Sequence, residues 1–448
     1  MKYETQKLAY PYFLAAMGLF LAQVLGGLLA GTVYVFPNLL SEEIPFHIIR
    51  MIHTNALIVW LLFGFFGAAY YLIPEESETE IHSPFIAKLQ FWLFLIGAAA
   101  AVVGYLFGIH EGREFLEQPL IIKVAIVVVA LMFLYNITMT LLKGRKTAVS
   151  LILTMGLWGL AIFFLFAFYN PDNLALDKMF WWYVVHLWVE GVWELIMAAI
   201  LSFLLIKMTG IDREIVEKWL YIIVSLTLFT GLLGTGHHYY WIGTPGYWQW
   251  IGSVFSTLEV LPFFAIVVFA FMIVRKGGRN HPNQAALLWT LGCAVLAFFG
   301  AGVWGFLHTL APINYLTHGT QITPAHGHLA FFGAYVMVNL AVITYAMPHL
   351  RGMQPYNQVL NMWSFWVMCS GMVFMTLVLT AAGVLQTHLQ RVMGISFMEV
   401  ADEIGFFFIL RLLSGIVVVV GALLYVYAIL STDKKQAEAG STSPQAAE

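Results

Sequence analysis

Twelve long apolar runs, separated by short polar stretches, leave this chain of 448 residues few ways to fold. Each approaches or exceeds the roughly 20 residues an α-helix needs to cross the hydrocarbon core of a bilayer. They fall at about 13–36, 51–73, 88–109, 119–142, 150–168, 180–206, 219–241, 247–273, 286–308, 324–347, 360–385 and 403–430. Their residues do not alternate polar and apolar, so the spans read as helices rather than barrel strands. Apolar residues make up 61% of the sequence and charged residues only 10%. A soluble domain carries roughly half and about a quarter. This balance excludes a cytosolic enzyme, a disordered chain and a nucleic-acid binder. The expected fold is all-α: a polytopic membrane bundle of twelve transmembrane helices, one domain over 1–431. The polar, low-complexity tail 432–448 reads as a disordered cytoplasmic segment.

Lys and Arg orient the bundle. With the N-terminus inside, 15 of them fall in inner segments and 4 (Arg50, Arg113, Lys178, Arg391) in outer ones, while Lys123 and Arg411 lie within spans. Both termini are therefore expected on the cytoplasmic side. The first run is too long for the apolar core of a cleaved signal peptide and is kept as a helix. Cys293 and Cys369 lie alone in apolar runs. They form neither CxxC nor CxxCH, so no disulfide framework and no covalently attached haem is expected.

Fourteen histidines occur, and six share a depth. His53 opens the second span and His186 lies early in the sixth. His237 and His238 lie late in the seventh, and His326 and His328 open the tenth. Because alternate spans run in opposite directions, all six fall in the outer third of the membrane, within about 10 Å of one another in depth. A lone histidine in a helix is usually structural, but independent core histidines have no reason to share a plane, so the set points to metal ligation. His326 and His328 are about 200° apart around a helix and face opposite flanks. One helix can then serve two metal centres. His237 and His238 differ by about 100° and can converge on one.

Glu190, Glu194 and Glu259 lie within spans. An intramembrane acid costs about 2.5–3.5 kcal/mol on insertion scales and marks a functional site by default. Glu190 shares a face with His186 one turn away, Glu194 lies a turn deeper, and Glu259 sits near the middle of the eighth span. No Lys or Arg at that depth is available to make them structural ion pairs.

One His in span 2, HxxxE in span 6, HH in span 7 and HxH in span 10 together resemble the catalytic subunit of the haem-copper oxidase superfamily. The resemblance covers the whole chain. The segments IHTNALIVWLLFGFFGAAYYLIPEE (52–76), HLWVEGVWE (186–194), GTGHHYYWIG (234–243) and TPAHGHLAFFGAY (323–335) resemble, more narrowly, the large subunits of cytochrome c-dependent nitric oxide reductases. The resemblance implies that His53 and His328 are the axial ligands of a low-spin haem b. It makes His326 the proximal ligand of a high-spin haem b3, and His186, His237, His238 and Glu190 the ligands of a non-haem iron (FeB) facing it. Arg50 and Arg113 match positions where cations meet haem propionates. Glu114 matches a ligand of a structural calcium, with Glu117 one turn on. Glu194 and Glu259 match acids around the non-haem metal. His318, Thr309 and Asp177 fall in the polar outer region.

The donor set bears on the reaction. Three imidazoles alone suit copper, whereas an added hard carboxylate favours iron. Relatives that reduce oxygen place a Tyr where Glu190 stands, or in span 7 about two turns before the HH pair. Here the latter stretch reads LFTGLLGTG, and Tyr239 and Tyr240 follow the pair. The implied reaction is 2 NO + 2 e⁻ + 2 H⁺ → N2O + H2O. No continuous polar ladder runs from the cytoplasm, while Glu111, Glu114, Glu117, Asp172 and Asp177 crowd the outer side. Proton uptake from the periplasmic side without pumping is therefore expected. Quinol-dependent relatives carry a long N-terminal extension, and about a dozen residues precede the first span here. That favours electrons from a membrane-anchored cytochrome c subunit, itself fed by a soluble cytochrome c or similar donor, in a bacterial inner membrane. An oxygen-reducing terminal oxidase is the alternative and predicts copper. A secondary transporter would need no haem, and a haem-b electron carrier would leave His186, His237 and His238 unused.

Overall fold

A polar residue at membrane depth must be shielded from lipid, and that requirement sets the order of packing. The computed structural model describes residues 1–40, 42–277, 281–352 and 356–431; the tail 432–448 lies outside the described residues. Among the described residues, twelve helices are long and apolar enough to span a membrane. They are α1 (Glu4–Val35), α2 (Phe46–Ser77), α3 (Pro84–Leu106), α4 (Leu120–Lys143), α5 (Ala148–Phe168), α6 (Leu174–Thr209), α7 (Arg213–Tyr239), α8 (Tyr247–Arg275), α9 (Gln284–Thr309), α10 (Ile322–Leu350), α11 (Gln358–Val392) and α12 (Gly405–Leu430). Among the described residues there is no strand. The most enclosed helices are α2, α6 and α10, and these carry His53, His186 with Glu190, and His326 with His328. The helices α3, α4 and α12 are among the least enclosed.

Every apolar run matches one helix, and the differences lie at the ends. Several helices begin before their apolar run because a polar side chain caps the first turn. Asn173 accepts from the Leu176 N–H ahead of α6, Asp212 from Glu214 ahead of α7, and Thr147 from Ser150 ahead of α5. Such a cap satisfies N–H groups that would otherwise be orphaned, so it fixes where the helix starts. Gly210, at φ +64°, ends α6 in the left-handed region. Deeper in the bundle, a Cβ on Gly300 would meet the Leu329 carbonyl and a Cβ on Gly333 the Leu296 carbonyl. These two glycines let the α9 and α10 backbones touch.

Charged side chains staple one end of the bundle. Glu76, 2% exposed at the end of α2, accepts from Arg213 at 2.6 and 2.8 Å and from the Thr147 hydroxyl at 2.5 Å. Beside it, Lys207 pairs with Glu75, which also accepts from Gln6 at 3.0 Å. Arg213→Ala would leave the Glu76 carboxylate buried without its cation. We expect a loss of about 3 kcal/mol, the low end for breaking a buried pair because Arg213 is partly exposed. A fall in the thermal midpoint of the purified protein, partly restored by Arg213→Lys, checks this.

Candidate metal centre

The centre is built where α6 leaves regular helix. Residues Trp188–Val192 form a π-helical turn, and Glu190 within it sits at φ −101°, ψ 27°. Such turns are rare and collect at functional sites. Two neighbours hold this one. The Tyr335 hydroxyl of α10 donates to the Val189 carbonyl, and Gly231 of α7 lies so close that a Cβ there would strike the Glu190 carbonyl. The Glu190 carboxylate reaches towards α7, with one oxygen 3.6 Å from His186 Nδ1 and the other 3.8 Å from His237 Nε2.

His237 and His238 lie in the 3-10 turn Thr235–Tyr239 that closes α7. The imidazoles of His186 and His237 are 5.0 Å apart between centroids, those of His186 and His238 are 5.2 Å apart, and those of His237 and His238 are 4.2 Å apart. His186, Glu190, His237 and His238 each offer one ligand atom, and these four atoms lie within 4.8 Å of one another. Hydrogen bonds decide which nitrogens are free. His186 Nε2 is 2.8 Å from the Gly231 carbonyl, which can only accept, so the proton sits on Nε2. Its Nδ1, buried and without a hydrogen-bond partner, presents a lone pair to the cluster. His237 Nδ1 is 2.8 Å from the Ser256 hydroxyl of α8, leaving Nε2 towards Glu190. The His238 ring stacks on Trp182 at 4.4 Å. Imidazoles oriented in this way by outer partners are the ordinary form of a metal site.

The other two acids line the same region. Glu194 is 5% exposed and accepts from Thr227 at 3.1 Å. Glu259 sits at a one-residue break in α8, with Oε1 buried and unpartnered. Glu190, Glu194 and Glu259 are close enough to interact electrostatically.

The two α10 histidines go to opposite sides. His326 donates from Nδ1 to the Gly300 carbonyl at 3.1 Å, and its ring is in electrostatic range of His237, His238 and Glu190. His328 donates from Nδ1 to the Pro324 carbonyl at 2.7 Å and faces His53 and Arg411 instead. His53 Nδ1 is bonded to the Gln23 carbonyl at 2.8 Å. His53 and His328 line one cavity, together with Gln23, Gly27, Met372, Met375 and Arg411. Gly27 is required there, because a Cβ would come within 2.5 Å of His53 Cε1.

The outer residues divide differently. Arg50 pairs with Glu114, whose carbonyl accepts from Trp181 at 2.7 Å. Arg113 is not brought to the histidine cavity. Its guanidinium is engaged by the carbonyls of Ala167 and Tyr169, by Asn170 at 2.6 Å and by Asp177. His318 Nδ1 meets the Asn314 carbonyl at 2.8 Å, and the Thr309 carbonyl accepts from Tyr240 at 2.9 Å. Tyr240 therefore has its hydroxyl on Thr309 and Ser253 rather than on an imidazole. Sequence reasoning missed Trp182, Ser256, Thr227 and Tyr335, which carry no spacing signal. Arg411 was visible only as a charge inside the last span.

Glu117, in the loop before α4, is 2% exposed and accepts from Asn55 at 2.9 Å. Burial pushes its carboxyl above the usual range, against the pull of the Asn55 hydrogen bond. The folded chain then holds this proton more tightly than the unfolded chain does. The resulting stability is complete below the ordinary carboxylate range and is lost as pH rises through the raised value. Glu117→Gln is expected to flatten this part of the profile, measured by thermal unfolding between about pH 4 and 7. Identical slopes in both proteins would remove Glu117 from the account.

Four comparisons bear on this geometry. The family described as Cytochrome C and Quinol oxidase polypeptide I matches residues 7–417. A nitric oxide reductase subunit of Stutzerimonas stutzeri is 55% identical over 96% of this chain and 95% of its own length. Cbb3-type cytochrome c oxidase subunit CcoN1 of the same organism is 23% identical over 85% of this chain and 84% of its own. In fold, the chain is similar to a solved heme-copper terminal oxidase dimer, with TM-score 0.69 and 14% identity over 98% of this chain and 85% of that one.

Proposed function

The chain belongs to the Cytochrome C and Quinol oxidase polypeptide I family, beside a subunit of nitric oxide reductase, and from that premise we propose that it is the catalytic subunit of such an enzyme. It is a multi-pass membrane oxidoreductase of a family that works with haem and metal. The proposed reaction is 2 NO + 2 e⁻ + 2 H⁺ → N2O + H2O.

The observation that carries this reading is Glu190 among three imidazoles. The residues fit a non-haem iron. The unpartnered Nδ1 of His186 faces the cluster, and His237 is turned to present Nε2. A hard carboxylate added to three imidazoles favours iron over copper. His326 would hold a high-spin haem b3 on the flank facing that iron, and His53 and His328 a low-spin haem b in the cavity that Gly27 keeps open. When bound, these groups would carry electrons to the site and bind neutral diatomics there, which gives proximity.

The chain's own residues do the rest. The apolar helix faces let NO arrive through the bilayer without a charged channel. Glu194, buried against Thr227, and Glu259 beside Glu190 can hold protons within reach of the cluster. We assign their supply to the outer face, where Glu111, Glu114 and Glu117 lie, and expect no pumping. Arg50 and Glu114 form the outer rim, where a calcium ion and haem carboxylates would sit. The partners of Arg113 support a role in tying the end of α5 and the segment after it to the first turn of α6, which carries Asp177. Electrons would come from a membrane-anchored cytochrome c subunit fed by a soluble cytochrome c or similar donor. The lysine and arginine asymmetry supports placing both termini on the cytoplasmic side, and we assign the chain to a bacterial inner membrane.

Total iron, copper and protohaem on the purified subunit test the reading, with any cytochrome c haem counted separately. Three irons for two protohaems, without copper, are expected. Two irons with one copper would make the chain an oxygen reductase, and absence of haem would end the proposal.

A further inference from the structure

Among the described residues, Arg411 of α12 is the single charged one lining the cavity between His53 and His328. Its guanidinium carbon lies 4.8 Å from the Tyr34 ring centroid. Among the described residues, no carboxylate is within ion-pair distance of it. The buried cations, by contrast, have acids to meet: Lys123 has Glu111, and Arg113 has Asp177. A ring face attracts a cation but does not neutralise it. An uncompensated charge at membrane depth is costly, so a cation kept facing a cavity implies an anion within that cavity.

The cavity has a direction. Along α1, Gly27 faces the His53 ring and Tyr34 carries the guanidinium. Seven residues of helix separate these two positions by about 10 Å. The cation therefore stands off the ligating nitrogens towards the Val35 end of α1, displaced as the carboxylate edge of a porphyrin is from its centre. Met372, Met375, Val418 and Val419 offer the apolar wall that the macrocycle needs.

We propose that Arg411 is a positioning residue for the group held by His53 and His328: it binds the carboxylate edge and holds the reduction potential up. This rests on the reading of that cavity as the low-spin haem site. A fixed cation near the iron disfavours the ferric state, which carries one more positive charge, and this stabilises the reduced form.

The test is redox titration of the low-spin haem by its visible bands in the wild type, Arg411→Leu and Arg411→Lys, with protohaem counted in each. Arg411→Leu should shift the reduction equilibrium about tenfold towards the oxidised form, a fall of about 59 mV for one electron. Arg411→Lys should stay close to the wild type, and the high-spin haem should not move. Should Leu cost haem, retention of haem at the native potential in Arg411→Lys still supports the charge pairing. An unshifted potential in Arg411→Leu would overturn it, as would loss of the haem in both variants. A wild type with no low-spin haem would instead defeat the functional reading itself, so the two failures are separable.

Discussion

Glu190→Ala should purify with both haem bands intact, depleted in non-haem iron, and with NO turnover at least about 100-fold lower. Removing an outer partner of a metal site already costs about 10–100-fold, and loss of a ligand exceeds that. The geometry gives the reason. The two carboxylate oxygens reach different histidines, at 3.6 Å from His186 Nδ1 and 3.8 Å from His237 Nε2. One group thus closes the donor set from the α6 side. Glu190→Gln separates charge from shape. It keeps the volume but removes the negative charge, and it can turn an amide N–H towards the lone pair of His186 Nδ1. We expect Gln to be nearly as damaging as Ala in metal content. Full metal and full turnover in either variant would show that Glu190 is not a ligand. Loss of the haem bands would indicate that the π turn had collapsed, a different failure visible in the spectrum.

The parts of this molecule that were legible in the sequence are those the bilayer dictates. An apolar run long enough to span is a helix, and each run became one. Helix ends were less legible, since Asn173 and Asp212 set them through side-chain caps outside the apolar pattern. The depth of the histidines was legible because alternating direction fixes it. The opposite flanks of His326 and His328 followed from the helical repeat, and the structure separates them as that repeat requires. The nitrogen that faces the cluster was not legible. It depends on the Gly231 carbonyl and the Ser256 hydroxyl, which arrive from α7 and α8. The π turn was also hidden. Nothing in WVEGV marks it, and its supports, Tyr335 and Gly231, are distant in sequence. Arg113 shows the same limit. Its outer position was readable, but the acceptors that take up its guanidinium lie on the segment 167–177.

Those opposite flanks set the second large effect. His328→Leu should lose the low-spin haem and keep the high-spin haem and the non-haem iron. His326→Leu should do the reverse for the two haems. Each should lower turnover with the cytochrome c donor by at least about 100-fold, for different reasons. Without the haem at His328, the relay from the donor is broken, while NO still perturbs the high-spin spectrum. Without His326, the donor still reduces the low-spin haem, and the site facing the Glu190 cluster is gone. The structure favours this independence. His328 is tied to the Pro324 carbonyl of its own helix and His326 to Gly300 of α9, so neither ring leans on the other. Protohaem stoichiometry and the NO-induced spectral change in each variant read the two outcomes separately. Loss of both haems from either variant would mean that α10 folds around its cofactors as one unit, and that two flanks served by one helix are not two sites.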